Sequence, residues 1–226
     1  MIDSVPSEST RRAALRAGIA LYTAGEFHAA HDPWEDVWLD IRAASDDDAS
    51  NADDTLARDD RLFHGLIQFT AAQYHARDRN WSGAVGLAES AREYLADHPA
   101  DYRGVDVVAV RAALARIESD PERVERGPAP PLLHGGSRVT PESLTLGAAS
   151  LAAEALAAEY GLDVDTVADA ARFAREEERV GRSRFAALLF DLVRVDTPQE
   201  RRLVYDRLSG MVDKERRKEE DVDGLF

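Results

Sequence analysis

Two short stretches hold most of the side chains that could do chemistry. The first is Phe27-His28-Ala29-Ala30-His31-Asp32-Pro33-Trp34-Glu35-Asp36-Val37-Trp38. The second is Phe63-His64-Gly65-Leu66-Ile67-Gln68, followed by His75. On a helix His31, Glu35 and Trp38 stand at i, i+4 and i+7 and share a face, with His28 a turn earlier. Positions 64, 68 and 75 share a face too, because eleven residues make almost three whole turns. A pair of such helices could hold a divalent transition metal, with His31, Glu35 and His75 as ligands, since His with carboxylate suits zinc, iron or manganese. The spacing lacks the HExxH signature. The same residues could instead form a buried polar network, with His31 paired to Glu35 or Gln68 and Trp34 and Trp38 packed as core. They could also line a small-molecule pocket. Cysteine is absent, so thiolate catalysis, disulfides and Cys-based zinc sites are excluded.

The elements that must position these residues read as helices throughout. Leu15, Ile19 and Tyr22 mark a first helix, stopped by Gly25. Trp34, Val37, Trp38 and Ile41 mark a second, with Pro33 confined to its first turn. Leu62, Leu66, Phe69 and Gln73 mark a third, running to about Asp78. Ala84, Leu87, Ala91 and Leu95 mark a fourth, and Val107 to Ile117 a fifth. Phe27 with Ala30 and Trp81 with Ala84 repeat an aromatic followed three residues on by alanine, the pattern of tetratricopeptide-like hairpins. No alternating strand pattern is visible, so the expected fold is all-α: a bundle of about five helices over residues 1–120, then a C-terminal helical module.

A break separates the two. Residues 121–140 contain four of the nine prolines, with Gly127, Gly135 and Gly136, and read as a linker. The expected C-terminal module, 141–226, has a helix from Leu144 to Tyr160 opened by Thr140-Pro141 and one over Val164–Glu178. A third, over Phe185–Val193, is apolar on nearly every side. Thr197-Pro198-Gln199-Glu200 opens a fourth as a capping box. The stretch Ala44–Asp54 reads as a solvated acidic loop, and the tail Asp221–Phe226 as a segment that docks or frays.

The net charge is −15, from 28 basic and 43 acidic residues. Lys214 and Lys218 are the only lysines. This acidic, arginine-for-lysine balance is expected of a halophilic protein, because molar salt screens self-repulsion to within about 3 Å. It disfavours nucleic acid as a partner. No apolar run reaches the ~18–20 residues of a membrane span, and no secretory leader is visible, so the expectation is a cytoplasmic protein. Arg92-x5-His98 has the loose spacing of some helical ribonucleases, but the charge disfavours it. Ser137, Thr140 and Ser143 near His134 read as caps and linker residues rather than a nucleophile and base.

The order Gly25-Glu26-Phe27 through Trp38, then Gly65-Leu66-Ile67-Gln68 with Ala71, His75, Asn80, Gly83-Ala84, Leu87 and Tyr94-Leu95, resembles the uncharacterised "domain of unknown function 309" family over residues about 10–118, in a haloarchaeal-type member. That family's pattern is F-x-A-H-E-x-x-E-x-x-W, then G-L-I-Q, then a GN-x-x-GA turn. The resemblance implies a small all-α fold without an established activity. It also implies that His31, Glu35, Trp38, Gly65, Gln68 and His75 are the signature positions. Asp32 stands where glutamate is usual, and Pro33 alters the helix start. The expected function is a binding or scaffold domain built on a buried cluster of His31, Glu35, Gln68 and His75, supported by His28, Trp34, Trp38, His64 and Gly65. It would take a small ligand or a protein partner of unknown identity. The alternative is a metal-dependent hydrolase or oxygen-handling enzyme using His31, Glu35 and His75, and whether the chain is an enzyme stays open.

Overall fold

Most helices in this protein start where a short oxygen-bearing side chain can accept a free N–H of the first turn. In the computed structural model, which describes residues 5–47, 54–179 and 181–223, Ser7 accepts from the Thr10 N–H to open α1 (Glu8–Ala24). Asn80 accepts from Gly83 to open α4 (Trp81–Leu95), and Asp106 from Ala109 to open α5 (Val107–Ser119). Between them lie α2 (Asp32–Asp47) and α3 (Asp54–Arg77). Thr145, Asp163 and Ser183 open α6 (Leu146–Glu159), α7 (Val164–Glu178) and α8 (Arg184–Arg194). Thr197 accepts from the Glu200 N–H and donates its hydroxyl to the Glu200 carboxylate at the start of α9 (Pro198–Asp223). The protein is all-α, with nine α-helices among the described residues. The middle of the predicted acidic loop and the extreme tail lie outside the described residues.

The chain divides into two units, Met1–Thr140 and Pro141–Phe226. In the first, Trp34 is 0% exposed and donates its indole N–H to the Leu15 carbonyl at 3.2 Å. Gly18 makes room for it: a Cβ there would lie 2.3 Å from the indole ring. Gly65 does the same for α4, since its Cβ would lie 2.7 Å from Leu95 Cγ. The signature glycine therefore permits a close helix approach. Ala30 and Ala84, the paired small residues of the two hairpins, are both fully buried.

Residues 121–140 are not a free linker. They form a 3-10 turn, Pro121–Glu125, packed on α3 and α5, and strands β3 (Leu133–His134) and β4 (Ser137–Arg138). With β1 (Asp101–Tyr102) and β2 (Val105–Asp106) these make an antiparallel sheet in the order β1-β2-β3-β4. Val105 pairs with His134, and the Tyr22 hydroxyl donates to the Pro130 carbonyl at 2.7 Å. Strands of two residues are too short to show alternation, so the sequence gives no warning of them. The β1–β2 turn is made by Arg103 and Gly104, at φ 54° and 80°. Both central residues of such a hairpin turn need positive φ, and arginine is strained there.

In the second unit α6 starts at Leu146 rather than Leu144, because Thr145, not Thr140, supplies the cap. Pro141 opens a separate short 3-10 turn. The helix expected to be apolar all round is amphipathic: Phe185, Ala186, Leu189, Leu192 and Val193 are buried, while Ala187 is exposed and Leu188 and Phe190 are half-buried. Buried Arg201 closes this helix by donating to the carbonyls of Leu192 and Val195.

Candidate functional site

The expected single cluster is two groups. The first lies where α2 begins and α3 ends. His31 precedes α2, and its carbonyl accepts from the Trp34 and Glu35 N–H groups. Its Nδ1 donates to the His28 carbonyl at 2.7 Å, so this tautomer keeps the proton on Nδ1. Burial holds the imidazole below the ordinary histidine range, with the hydrogen bond to His28 and the charge of Glu35 only partly opposing. Around it the rings form a chain: His28 is 5.7 Å from His31 and 5.6 Å from Tyr74, and Tyr74 is 5.9 Å from His75. Glu35 itself is exposed.

His75 is a cap partner. Asn80 Oδ1 accepts the Gly83 N–H that opens α4, which leaves its Nδ2 to donate to His75 Nδ1 at 2.9 Å. The His75 carbonyl accepts the Asn80 N–H. Between them Arg79 takes φ 59°, at the position where the resembled family pattern has glycine. His75 thus ties the end of α3 to the start of α4.

The second group joins α2, α3 and α4. Gln68 Nε2 donates to His64 Nε2 at 2.9 Å. This requires a neutral His64 with its proton on Nδ1. Burial lowers the His64 pKa, Asp60 opposes that shift and Arg42 adds to it. His64 stacks between Trp38, at 4.5 Å, and Tyr94, at 4.0 Å between ring centres. Trp38 was expected in the core. It is half-buried instead, with the exposed Arg42 guanidinium 5.2 Å from its ring centre. The ring that lies against Gly18 is that of Trp34. The buried atoms Trp38 Nε1 and Gln68 Oε1 have no hydrogen-bond partner.

The structure does not draw His31, Glu35 and His75 into one ligand set: each histidine uses Nδ1 locally, and Glu35 faces outward. Among the described residues no three His, Asp or Glu side chains are grouped as a metal ion would need.

Residues 15–87 match the family model described as Domain of unknown function (DUF309). The resemblance read from the motifs is thereby shown over that span. The DUF309 segment runs from within α1 to within α4, so it holds both groups except Tyr94. No curated protein matches the chain.

The motifs did not single out a further group, which gathers on Asp59 of the DUF309 segment. Asp59, 0% exposed, accepts from Arg103 Nε at 2.8 Å and Nη2 at 2.7 Å and from the Tyr102 hydroxyl at 2.9 Å. Arg11 Nε lies 3.0 Å from Asp59 Oδ2, in ion-pair range but off the line of a hydrogen bond. Glu8 completes the group through Arg11 and Arg103. Burial, reinforced by the hydrogen bond and the charge of Asp59, pushes the Tyr102 pKa up to about 12. The signal was present: Asp59 occupies the stripe of Leu62, Leu66, Phe69 and Gln73, where a charge needs a partner. Arg92 pairs with Glu118, and His98 is buried with its Nε2 donating to the Arg58 carbonyl. The ribonuclease-like spacing therefore puts them to separate structural uses. No helix among the described residues is long and apolar enough to cross a membrane.

Proposed function

We propose that the DUF309-bearing unit is a binding domain, and that Trp38, His64, Gln68 and Tyr94 receive its ligand. One observation supports this above the others: a buried donor, Trp38 Nε1, and a buried acceptor, Gln68 Oε1, stand without partners beside the same histidine. Each orphaned group costs about 1–3 kcal/mol unless something satisfies it. A planar ligand carrying an acceptor next to a donor, as an amide does, would satisfy both while lying against the His64 and Tyr94 rings. Arg42, exposed and stacked on Trp38, is the side chain that must swing aside to admit it. The acidic charge and scarcity of lysine further support a protein working in the concentrated salt of a cell interior, with a small molecule rather than nucleic acid as partner.

The test is a titration with benzamide followed at the indole N–H resonance of Trp38, assigned by its loss in Trp38→Phe. A saturable shift, abolished in Gln68→Leu, is the expected result. No shift in the wild-type protein, together with higher stability of Gln68→Leu, would leave the group as a purely structural contact between helices.

A further inference from the structure

Gln73 lies five residues beyond Gln68, about 140° round α3. It is 1% exposed, and its Oε1 has no hydrogen-bond partner. The side chain borders a cavity of about 640 Å³ that belongs to neither group described above. This volume falls within the ~300–1,000 Å³ usual for small-molecule sites. Its apolar wall is Ile117 of α5, Val124, and the segment Pro128-Ala129-Pro130-Pro131. The proline segment is fixed in place, because the Pro130 carbonyl accepts the buried Tyr22 hydroxyl. Arg116, Arg123 and Arg126 also line the cavity.

The charge balance here is unlike that of the chain as a whole. Four carboxylates lie close by in sequence, and three are already engaged: Glu118 with Arg92, Glu125 with Arg79, and Asp120 with Arg126. Glu122 is exposed. Arg116 and Arg123 form no ion pair with a described residue. Three guanidiniums at one cavity, two of them unneutralised, in a chain of net charge −15 are placed for a negatively charged group. The buried amide oxygen asks for a donor, and the prolines and Ile117 for an apolar body between.

We propose that this cavity binds a small organic anion, whose acidic group meets the arginines and whose N–H or O–H reaches Gln73 Oε1. The site lies almost wholly outside the DUF309 match, so it is a second and independent binding function of the same unit.

The probe is 8-anilinonaphthalene-1-sulfonate, which carries a sulfonate, fused apolar rings and one N–H. It is titrated by fluorescence into the full-length protein, with uncharged N-phenyl-1-naphthylamine as comparison. The proposal expects one saturable site per chain that weakens as salt rises. Arg116→Gln with Arg123→Gln, two exposed positions whose change leaves the fold intact, should weaken the sulfonate by about tenfold and leave the uncharged dye unchanged. Gln73→Leu should weaken the sulfonate several-fold while keeping or raising the melting temperature, since an orphaned polar atom has gone. Trp38→Phe should have no effect, which separates this site from the one proposed above. Absence of saturable binding, unchanged affinity in the double arginine variant, or tighter binding by Gln73→Leu would each overturn the assignment.

Discussion

Replacing Asp59 with asparagine keeps the side chain's size but removes the charge on which two arginines and a tyrosine converge. Asn offers one acceptor oxygen, and its amide nitrogen would face a guanidinium donor. Arg103 loses at least one of its two hydrogen bonds, at 2.8 and 2.7 Å, and charge-assisted bonds of this kind contribute about 1.5–3 kcal/mol each. The arginine side chains are 12% and 20% exposed, and stripping the partner from a buried ion pair typically costs about 3–5 kcal/mol. Both arginines keep Glu8, whose side chain is half exposed, so the lower end, about 3 kcal/mol, is expected. Arg103 also loses the grip that holds it at φ 54°. Urea unfolding at fixed salt, followed by tryptophan fluorescence, measures the loss. A spectrophotometric titration should show the Tyr102 pKa falling from about 12, but only part of the way, because burial is its largest cause. A stability loss below about 1 kcal/mol with no movement of Tyr102 would refute the reasoning and mean that water already shares the Asp59 site.

Arg79→Gly should be more stable than Arg79→Ala by about 1 kcal/mol. Both variants lose the exposed Arg79–Glu125 pair, and only glycine relieves φ 59°; equal unfolding midpoints would show that the turn is unstrained. Burial lowers the pKa of His31, His64, His98 and His134 below the ordinary 6.5, so the unfolded chain takes up protons first as the solution is acidified. Stability should therefore be full above pH 6.5 and decline below it, and a urea midpoint that rises between pH 7.5 and 5.5 would contradict this. Fragments 1–140 and 141–226, expressed separately, should each fold and stay monomeric by circular dichroism and light scattering. A 1–120 fragment should be less stable than 1–140, because it strips β3 from β2 and the Pro130 carbonyl from Tyr22.

Where structure depends on neighbours in sequence, the residues announce it. Val164–Glu178 is readable end to end because Asp163 caps it and its apolar stripe keeps helical period. Prolines and glycines in 121–140 say only that no helix continues there. Whether such a stretch hangs free or packs depends on partners far off in sequence, Val105 and the still more distant Tyr22 among them. The candidate site was legible at the level of faces and no further. Periodicity puts His31 and Glu35 on one side of α2, but His31 turns back to its own His28 carbonyl and His75 forward to Asn80. Trp34 and Trp38 both sit on the apolar stripe of α2, but the room made by Gly18 and the Leu15 carbonyl, both on α1, receive Trp34. Gln73 read as one more position on an apolar stripe, although its buried amide oxygen has no hydrogen-bond partner and the residue borders the cavity.

The late return of the proline segment bears on how the chain is made. On the ribosome, α1 through α4 emerge first and include the whole DUF309 match, yet the Tyr22 hydroxyl must wait 108 residues for Pro130, and Arg16 118 residues for His134. Loop closures of that length are slow relative to helix formation. The nascent unit therefore spends an interval with its helices formed and one side of its core unsealed. A stop or cleavage before residue 130 would remove the Pro130 carbonyl from Tyr22 and leave that side of the core open for good.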